Sequence, residues 1–217
     1  MNPGTLVIVN LLGGIALLLW GVRMVRTGVM RAWGDRLKLF IEHRLGNRVS
    51  AFFAGATATA ILGSGTATTL IVAGIAASGA IGTSLGLAVL LGADVGSAVV
   101  SALFASGSSL ALWASPVLIF LGYVTFSVSR EYKPHSIGRM MIGIGLMLMA
   151  LKLISVATAP LRETSLFHDV LAAIGQEPLL AFFAGAVMAW GFHSTLAVIL
   201  LIALFVANGS LELVSAF

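Results

Sequence analysis

A 30-residue apolar stretch that occurs twice is the feature that most restricts how this chain can fold. The first copy, residues 52–81, reads FFAGATATAILGSGTATTLIVAGIAASGAI. The second copy begins 130 residues later, at residues 182–211, and reads FFAGAVMAWGFHSTLAVILLIALFVANGSL. The copies align without a gap and share the opening FFAGA, a central serine and a closing glycine. Alanine-rich segments match by chance, so this shared register, rather than the count of matches, indicates an internal repeat.

The composition places the repeat in a membrane protein. Hydrophobic residues make up 59% of the chain and charged residues only 9%, whereas a soluble globular domain has about 25% charged residues. The apolar runs are far longer than strands, which predicts a polytopic all-α bundle. The basic residues lie beside apolar segments, so no nucleic-acid partner is expected. The chain has no cysteine, which excludes disulfides and thiolate metal sites.

Uncharged and basic segments predict the order of membrane crossings. Residues 5–22 carry no charge and reach about 27 Å as a helix, enough for one crossing. Residues 23–48 hold seven of the twelve basic residues and an apolar side chain at every fourth position. This pattern favours a basic amphipathic helix in the cytoplasmic interface over a cytosolic connector helix. Further crossings are predicted at 84–104, 110–128 and 140–158, with the N-terminus outside.

Each repeated stretch is too long for one straight crossing, which leaves a broken crossing or a re-entrant hairpin. The basic loop around Arg130, Lys133 and Arg139 lies in the cytoplasm only if residues 51–81 return to their own side. The charges therefore favour re-entrant hairpins at 51–81 and 180–211, which enter from opposite sides because the loop 159–178 is outside. We expect one transmembrane domain, 1–217, with two inverted-topology repeats. The first covers about 5–104, and the second starts at about 137 and is incomplete at residue 217.

The interruption of each hairpin is the predicted binding site. Free N–H groups at the start of a half-helix, near Thr66, attract an anion, and freed carbonyls with hydroxyl groups suit a hard cation such as sodium. For most of the threonines, including Thr68, helix packing is the commoner role. Ser64 and Thr66 lie inside the break, and for these two residues the site is favoured.

Asp94 is the only acidic residue within a predicted crossing. A carboxylate at that depth costs at least about 2.5–3.5 kcal/mol, so a role as a cation ligand or proton carrier is favoured. The alternative is structural. Gly92 and Gly96 have the spacing of a helix-packing motif, and the carboxylate could pair with Lys152 or His193.

His193 and Ser194 lie at the turn of the second hairpin. Adjacent residues do not easily form a nucleophile–base pair, so an intramembrane hydrolase is disfavoured and no enzyme activity is expected. His193 is predicted to be a polar group at a hydrated tip that could sense pH.

Four segments give the chain a resemblance to the bacterial branch of the type II sodium–phosphate cotransporter family. They are LLWGVRMVRTGVMR (18–31), FFAGATATAILGSGTATT (52–69), VLLGADVGSA (89–98) and the second hairpin. The family's QSSS signature falls on Gly63–Thr66 and on His193–Leu196, and only the first serine of each is kept. The resemblance implies two ligand sets. Phosphate would contact Ser64, Gly65, Thr66, Ser194 and Thr195, and sodium would contact Asp94, Ser97 and Thr68.

The expected function is secondary transport of inorganic phosphate, coupled to sodium, by a multi-pass protein of the cytoplasmic (inner) membrane. The alternative, suggested by the altered QSSS segments, is a non-transporting scaffold or partner subunit descended from that family. The expected partners are phosphate, sodium and the lipid bilayer, with a homodimer as the expected assembly. No cofactor is expected besides sodium as the coupling ion.

Overall fold

The computed structural model describes residues 3–44, 46–105, 109–129, 131–161 and 176–209, together with residues 164, 169, 171, 173, 174 and 211. Within these residues the chain forms helices and no strand, which confirms the all-α prediction. The main helices are α1 Pro3–His43, α2 Arg48–Leu62, α3 Gly65–Ala77, α4 Thr83–Ala105, α5 Ser109–Val128, α6 Tyr132–Thr158, α7 Pro178–Phe192 and α8 Thr195–Ala207. Arg162 and Glu163, in the loop 159–178 that is predicted to lie outside, are not among the described residues.

Three described helices are long and apolar enough to cross a membrane. They are Gly4–Ile41 within α1, Thr83–Leu103 within α4, and Tyr132–Thr158, which is α6. The crossings predicted at 84–104 and 110–128 correspond closely to α4 and α5. By length and composition, the three long apolar helices indicate a multi-pass membrane protein.

Helix α1 corrects the prediction of a separate interfacial helix at 23–48, because it runs unbroken from Pro3 to His43. Its second half packs on other helices. A side chain at Gly28 would overlap α6 at Ser136 and Met140, and Val29 and Ile41 are buried. The apolar stripe was therefore predicted correctly, but protein covers part of it, including these two residues.

Helix α6 begins at Tyr132, well before the predicted start at residue 140. Its first turns pack tightly on α5, since a Cβ atom at Gly138 would approach the backbone of Gly122 and Phe126. The His135 ring lies 3.9 Å from the Phe126 ring between centroids. Most of the segment that was predicted to be a basic loop is therefore helical, from Tyr132 onward.

The two repeated stretches each form a pair of short helices, α2–α3 and α7–α8. All four helix ends of the first pair recur in the second pair with the 130-residue offset of the sequence repeat. The pairs pack into different clusters. The cluster around α2 and α3 includes Leu62, Val72 and Val89 of α4, and the cluster around α8 includes Leu18 of α1, Ile154 of α6 and Leu200.

Helix α4 continues without a break through Gly92 and Gly96. A Cβ atom at Gly92 would overlap the carbonyl oxygen of Phe52, and one at Gly96 the carbonyl oxygen of Ala56. On the facing helix, a Cβ atom at Gly55 would overlap the carbonyl oxygen of Val89. The backbones of α2 and α4 thus lie in close contact, which is the packing role that small residues have in membrane helices.

Candidate functional site

The first helix pair breaks at Gly63 and Ser64. Gly63 has the left-handed conformation (φ 58°, ψ 26°), and its N–H donates to the Thr59 carbonyl at 2.8 Å, which ends α2. Ser64 is extended, and its Oγ accepts the Ala67 N–H at 3.3 Å, as an N-cap serine does. The Ser64 and Thr66 hydroxyls lie 3.0 Å apart. The glycine and the serine thus end one helix and begin the next within two residues.

The second pair repeats this geometry at His193 and Ser194. His193 is left-handed (φ 50°, ψ 28°) and is the one non-glycine residue with positive φ among those described. Ser194 is extended, and its Oγ accepts the Ala197 N–H at 3.3 Å. The sequence repeat therefore corresponds to a repeated helix break.

Both breaks open into one cavity of about 640 Å³. Residues of α1 line the same cavity. The cavity is lined by Ala16, Leu19, Trp20, Val22, Arg23, Arg26, Gly63, Ser64, Thr66, Phe192, His193, Ser194, Thr195 and Leu196. Of the residues predicted to contact the anion, Ser64, Thr66, Ser194 and Thr195 line the cavity, and Gly65 lies between two of them in the chain. His193, the predicted polar residue, lines it as well.

The cavity has a positive character. The α3 and α8 N-termini begin at its wall, and a helix N-terminus carries about half a positive charge. Arg23 and Arg26 add two guanidinium groups, and none of the described residues that line the cavity is acidic. These two arginines are not among the site residues predicted from the sequence. Their position could have indicated a role, because they lie three residues apart and directly follow the uncharged run 5–22.

A buried group of oxygen atoms lies behind the first break. The Thr59 hydroxyl donates to Thr68 Oγ1 at 2.8 Å, and the Thr68 hydroxyl is 3.4 Å from the Ser64 carbonyl oxygen. Both threonines are fully buried. Hydroxyl and carbonyl oxygens are ligands that hard cations prefer, and the role of Thr68 as a cation ligand stays a prediction.

Asp94 and Ser97 are on α4, and in the described part of the chain neither makes a hydrogen bond to Thr59 or Thr68. The Asp94 side chain is exposed, whereas Ser97 is buried and donates its hydroxyl to the Asp94 carbonyl at 2.8 Å. Within the described part of the chain, the Asp94 carboxylate pairs with neither Lys152 nor His193. The structure therefore groups the predicted anion residues around one cavity but does not bring Asp94 into contact with Thr68. No cluster of three or more His, Asp or Glu side chains suited to a metal occurs among the described residues.

The sequence of this chain is similar to those of several known proteins. The family model "Na+/Pi-cotransporter" matches residues 17–156. The chain is 37% identical over 204 residues to the Escherichia coli O157:H7 protein named "Putative inorganic phosphate export protein YjbB", which covers 94% of this chain and 37% of that protein. It is 25% identical over 215 residues to the uncharacterized protein YqeW of Bacillus subtilis, covering 97% of this chain and 67% of that protein. The chain thus spans little more than a third of the length of its YjbB relatives. No solved structure matches it.

Proposed function

Because this chain belongs to the Na+/Pi-cotransporter family, we propose that it is the membrane core, or part of the core, of a secondary phosphate transporter. The name of the YjbB relatives supports inorganic phosphate as the substrate and raises export as a direction of transport. The observation that most directly supports the proposal is the cavity in which both helix breaks meet. Cavity and family together favour transport over the scaffold alternative.

The helix starts explain how an anion would bind. The first N–H groups of a helix have no carbonyl partner within it. The Ser64 hydroxyl satisfies the N–H of Ala67, and the Ser194 hydroxyl satisfies that of Ala197. The N–H groups of Gly65, Thr66 and Thr195 precede those positions and remain for the substrate. In our proposal these N–H groups and the serine hydroxyls donate to the phosphate oxygens.

We further propose that each helix pair enters the membrane and returns to the same side, the two from opposite sides. Helices α2 and α3 have 15 and 13 residues, or about 22 and 20 Å, which is less than the roughly 30 Å apolar layer. Residues nine apart in one continuous helix are separated by about 13 Å along its axis. The hydrogen bond between the Thr59 and Thr68 hydroxyls therefore supports a chain that folds back.

Single cysteines test this topology cleanly because the chain has none of its own. Cysteines at Thr83 and Tyr132 should both be labelled from the cytoplasmic side of the inner membrane, and a cysteine near the N-terminus from the outside. Labelling of positions 83 and 132 from different sides would contradict the re-entrant arrangement.

Sodium coupling is part of the proposal, with Asp94, Ser97 and Thr68 as cation ligands. Two observations support it. Thr68 belongs to a buried group of oxygens beside the break, and the Asp94 carboxylate makes no ion pair with any residue that the structure describes. An unpaired carboxylate within an apolar helix favours a cation as its partner.

Flux of labelled phosphate in proteoliposomes tests the function. The full-length protein that the gene encodes should transport phosphate, and it should do so faster with a sodium gradient than without one. Empty liposomes give the background rate. The double variant Ser64→Ala/Ser194→Ala should lose most of the flux because it loses a hydroxyl from each break. Absence of both flux and phosphate binding in the folded protein would favour the scaffold alternative.

A further inference from the structure

We propose that the end of α1 and the start of α2 form a binding site for one anionic phospholipid of the cytoplasmic leaflet. The headgroup lies between Arg44 and Arg48, and the two acyl chains lie in two apolar grooves beside α2. The site shares no lining residue with the cavity at the helix breaks. The inference rests on the proposed topology, which places this end of α2 at the cytoplasmic surface, but it does not depend on the transported substrate.

The first groove, called the Arg44 groove, has a volume of about 450 Å³ and is lined by the end of α1 and the first turns of α2. Its lining includes Phe40 and Arg44 of α1 and Val49 and Phe53 of α2. The central guanidinium carbon of Arg44 lies 5.8 Å from the centre of the Phe40 ring, which is within the range of a cation–π contact. The ring contact holds the charge of Arg44 at the edge of an apolar groove.

The second groove, called the Arg48 groove, has a volume of about 580 Å³ and is lined by residues of α2 and α4. Its two polar lining residues are Arg48, the first residue of α2, and Ser84, the second residue of α4. The rest of the lining is apolar and includes Leu87 and Leu91. The groove is therefore polar where the two helices begin and apolar farther along them.

The two grooves adjoin along a ridge on α2 formed by Val49 and Phe53. Both side chains line both grooves, and they are 67% and 62% exposed. The Arg44 groove extends along α2 to Thr57, about 12 Å from Val49, which is most of the roughly 15 Å of apolar layer in one leaflet. A phospholipid has two acyl chains, so one chain can occupy each groove with the headgroup above the ridge.

The length of α2 sets the depth of the two arginines. Its 15 residues span about 22 Å from Arg48 to the break at Gly63. With the break near the middle of the membrane, about 15 Å of this length crosses the apolar layer of one leaflet. The remainder brings Arg48 into the headgroup layer, which ends at about 20–22 Å from the middle. Arg44 precedes it by four residues, so both arginines lie where lipid phosphates are.

The charge of this region favours an anionic headgroup over a neutral one. Residues 36–48 contain four lysines and arginines and one acidic residue, Glu42. Within the described part of the chain, the Arg44 and Arg48 guanidinium groups make no hydrogen bond or ion pair, and no described residue that lines either groove is acidic. Guanidinium groups match phosphate oxygens with paired N–H donors, and basic clusters beside membrane helices attract anionic lipids.

Native mass spectrometry of the full-length protein that the gene encodes tests the site. The protein is titrated with phosphatidylglycerol, which is anionic, and with phosphatidylcholine of the same acyl chains, which is zwitterionic. The parent protein should bind the first phosphatidylglycerol about 10-fold more tightly than phosphatidylcholine. Arg44→Gln and Arg48→Gln should each weaken phosphatidylglycerol binding about 5-fold, as expected for one basic residue at a membrane surface.

Three control variants separate the headgroup from the chains and from folding. Arg31→Gln removes an exposed arginine of α1 that lines neither groove, and it should bind both lipids as the parent does. Arg44→Lys keeps the charge without the guanidinium fork and should bind with intermediate affinity. Leu87→Ser places a hydroxyl in the Arg48 groove and should weaken both lipids equally, because their acyl chains are the same. Size exclusion shows whether each variant elutes as the parent does.

Three results would overturn the inference. One is equal affinity of the parent protein for the two lipids. Another is phosphatidylglycerol binding by folded Arg44→Gln and Arg48→Gln that is as tight as that of Arg31→Gln. The third is displacement of phosphatidylglycerol by inorganic phosphate beyond the effect of chloride at equal ionic strength, which would mean that the arginines bind a free anion rather than a lipid.

The lipid measurement is independent of transport. A parent protein that prefers phosphatidylglycerol as expected but neither binds nor moves phosphate would support this inference, while the proposed function fails. A protein that moves phosphate but shows no lipid preference would give the reverse result.

Discussion

Gly63 and His193 occupy the same place in two helix pairs whose ends match along the chain, and both adopt the left-handed conformation. The serines that follow them have nearly the same dihedral angles, φ −157° for Ser64 and −153° for Ser194. The surroundings differ. Helix α2 has six buried residues, among them Thr59, whereas α7 has none.

The shared FFAGA segment shows this difference most directly. Its glycine is Gly55 in α2, where an added Cβ atom would overlap the Val89 carbonyl oxygen of α4. In α7 the same glycine is Gly185, and nothing lies within 4 Å of the added atom. Phe182 and Trp190 of α7 are 68% and 78% exposed. Identical residues are thus a packing surface in one pair and an open surface in the other.

The comparison separates two levels of structure. The break is local, because a left-handed residue followed by an N-cap serine forms in both pairs despite their different neighbours. The packing is tertiary, because α2 is buried against α4 and the structure describes no helix in the corresponding place beside α7. Substitutions at paired positions can test each level separately.

The largest expected effect is at the glycine of FFAGA. Gly55→Ala should destabilise the protein by about 3 kcal/mol, near the upper end for overpacking, because the methyl group must displace backbone rather than a flexible side chain. Gly185→Ala is the matched control and should be neutral or stabilising by up to about 1 kcal/mol, since alanine is the better helix former. Thermal unfolding in detergent measures both. Equal melting temperatures for the two variants would contradict the asymmetry.

The next largest effect concerns the Thr59–Thr68 hydrogen bond, for which the second pair has only Ala189 and Val198 at the equivalent positions. Thr68→Val leaves the buried Thr59 hydroxyl without this acceptor and should cost about 1–2 kcal/mol. The double variant Thr59→Val/Thr68→Val should recover part of that loss, because both polar groups are then removed. Additive losses in this double-mutant cycle would mean that the hydroxyl pair does not stabilise the first break.

The elements of the fold could be predicted largely because their signals are local. Uncharged runs located α4 and α5, and Gly63–Ser64 and His193–Ser194 located the breaks. The crossing predicted at 140–158 lies within α6, where Gly143 contacts α1 and Gly145 contacts α5 closely. Helix ends were missed where charge was taken as a sign of loop, as in the start of α6.

The parts of the site that were missed depend on tertiary contacts. No periodicity in the sequence shows that α1 lines the cavity at both breaks, so Arg23 and Arg26 were predicted to lie at the membrane surface. For Asp94, sequence reasoning left cation binding and an ion pair open. In the described part of the chain the Asp94 carboxylate pairs with neither Lys152 nor His193, which excludes that ion pair, and cation binding stays a prediction.

The N-cap serines should give a smaller effect that is similar in both pairs. Ser64→Ala and Ser194→Ala each leave one N–H without its hydroxyl acceptor, which typically costs about 1 kcal/mol. Because both serines also line the cavity, phosphate binding should weaken in both variants. A loss of binding in only one of them would mean that the two breaks do not share one substrate. Thermal unfolding and equilibrium phosphate binding, measured on the same samples, separate these two effects.

The smallest effect is expected at the left-handed residue, where the pairs differ in sequence but not in conformation. His193→Gly should relieve a left-handed strain of about 1–2 kcal/mol but add roughly 0.5–1 kcal/mol of backbone entropy lost on folding, for a net gain between about 0 and 1.5 kcal/mol, with a midpoint below about 1 kcal/mol. Gly63→Ala should change stability in the opposite direction by a similar amount. Among the described residues, the His193 ring makes one hydrogen bond, a 3.4 Å contact with the Gly191 carbonyl, so little hydrogen bonding is lost with it. If His193→Gly lowers the melting temperature, the histidine stabilises the second break through interactions that the first break lacks, and the two breaks are not equivalent even locally.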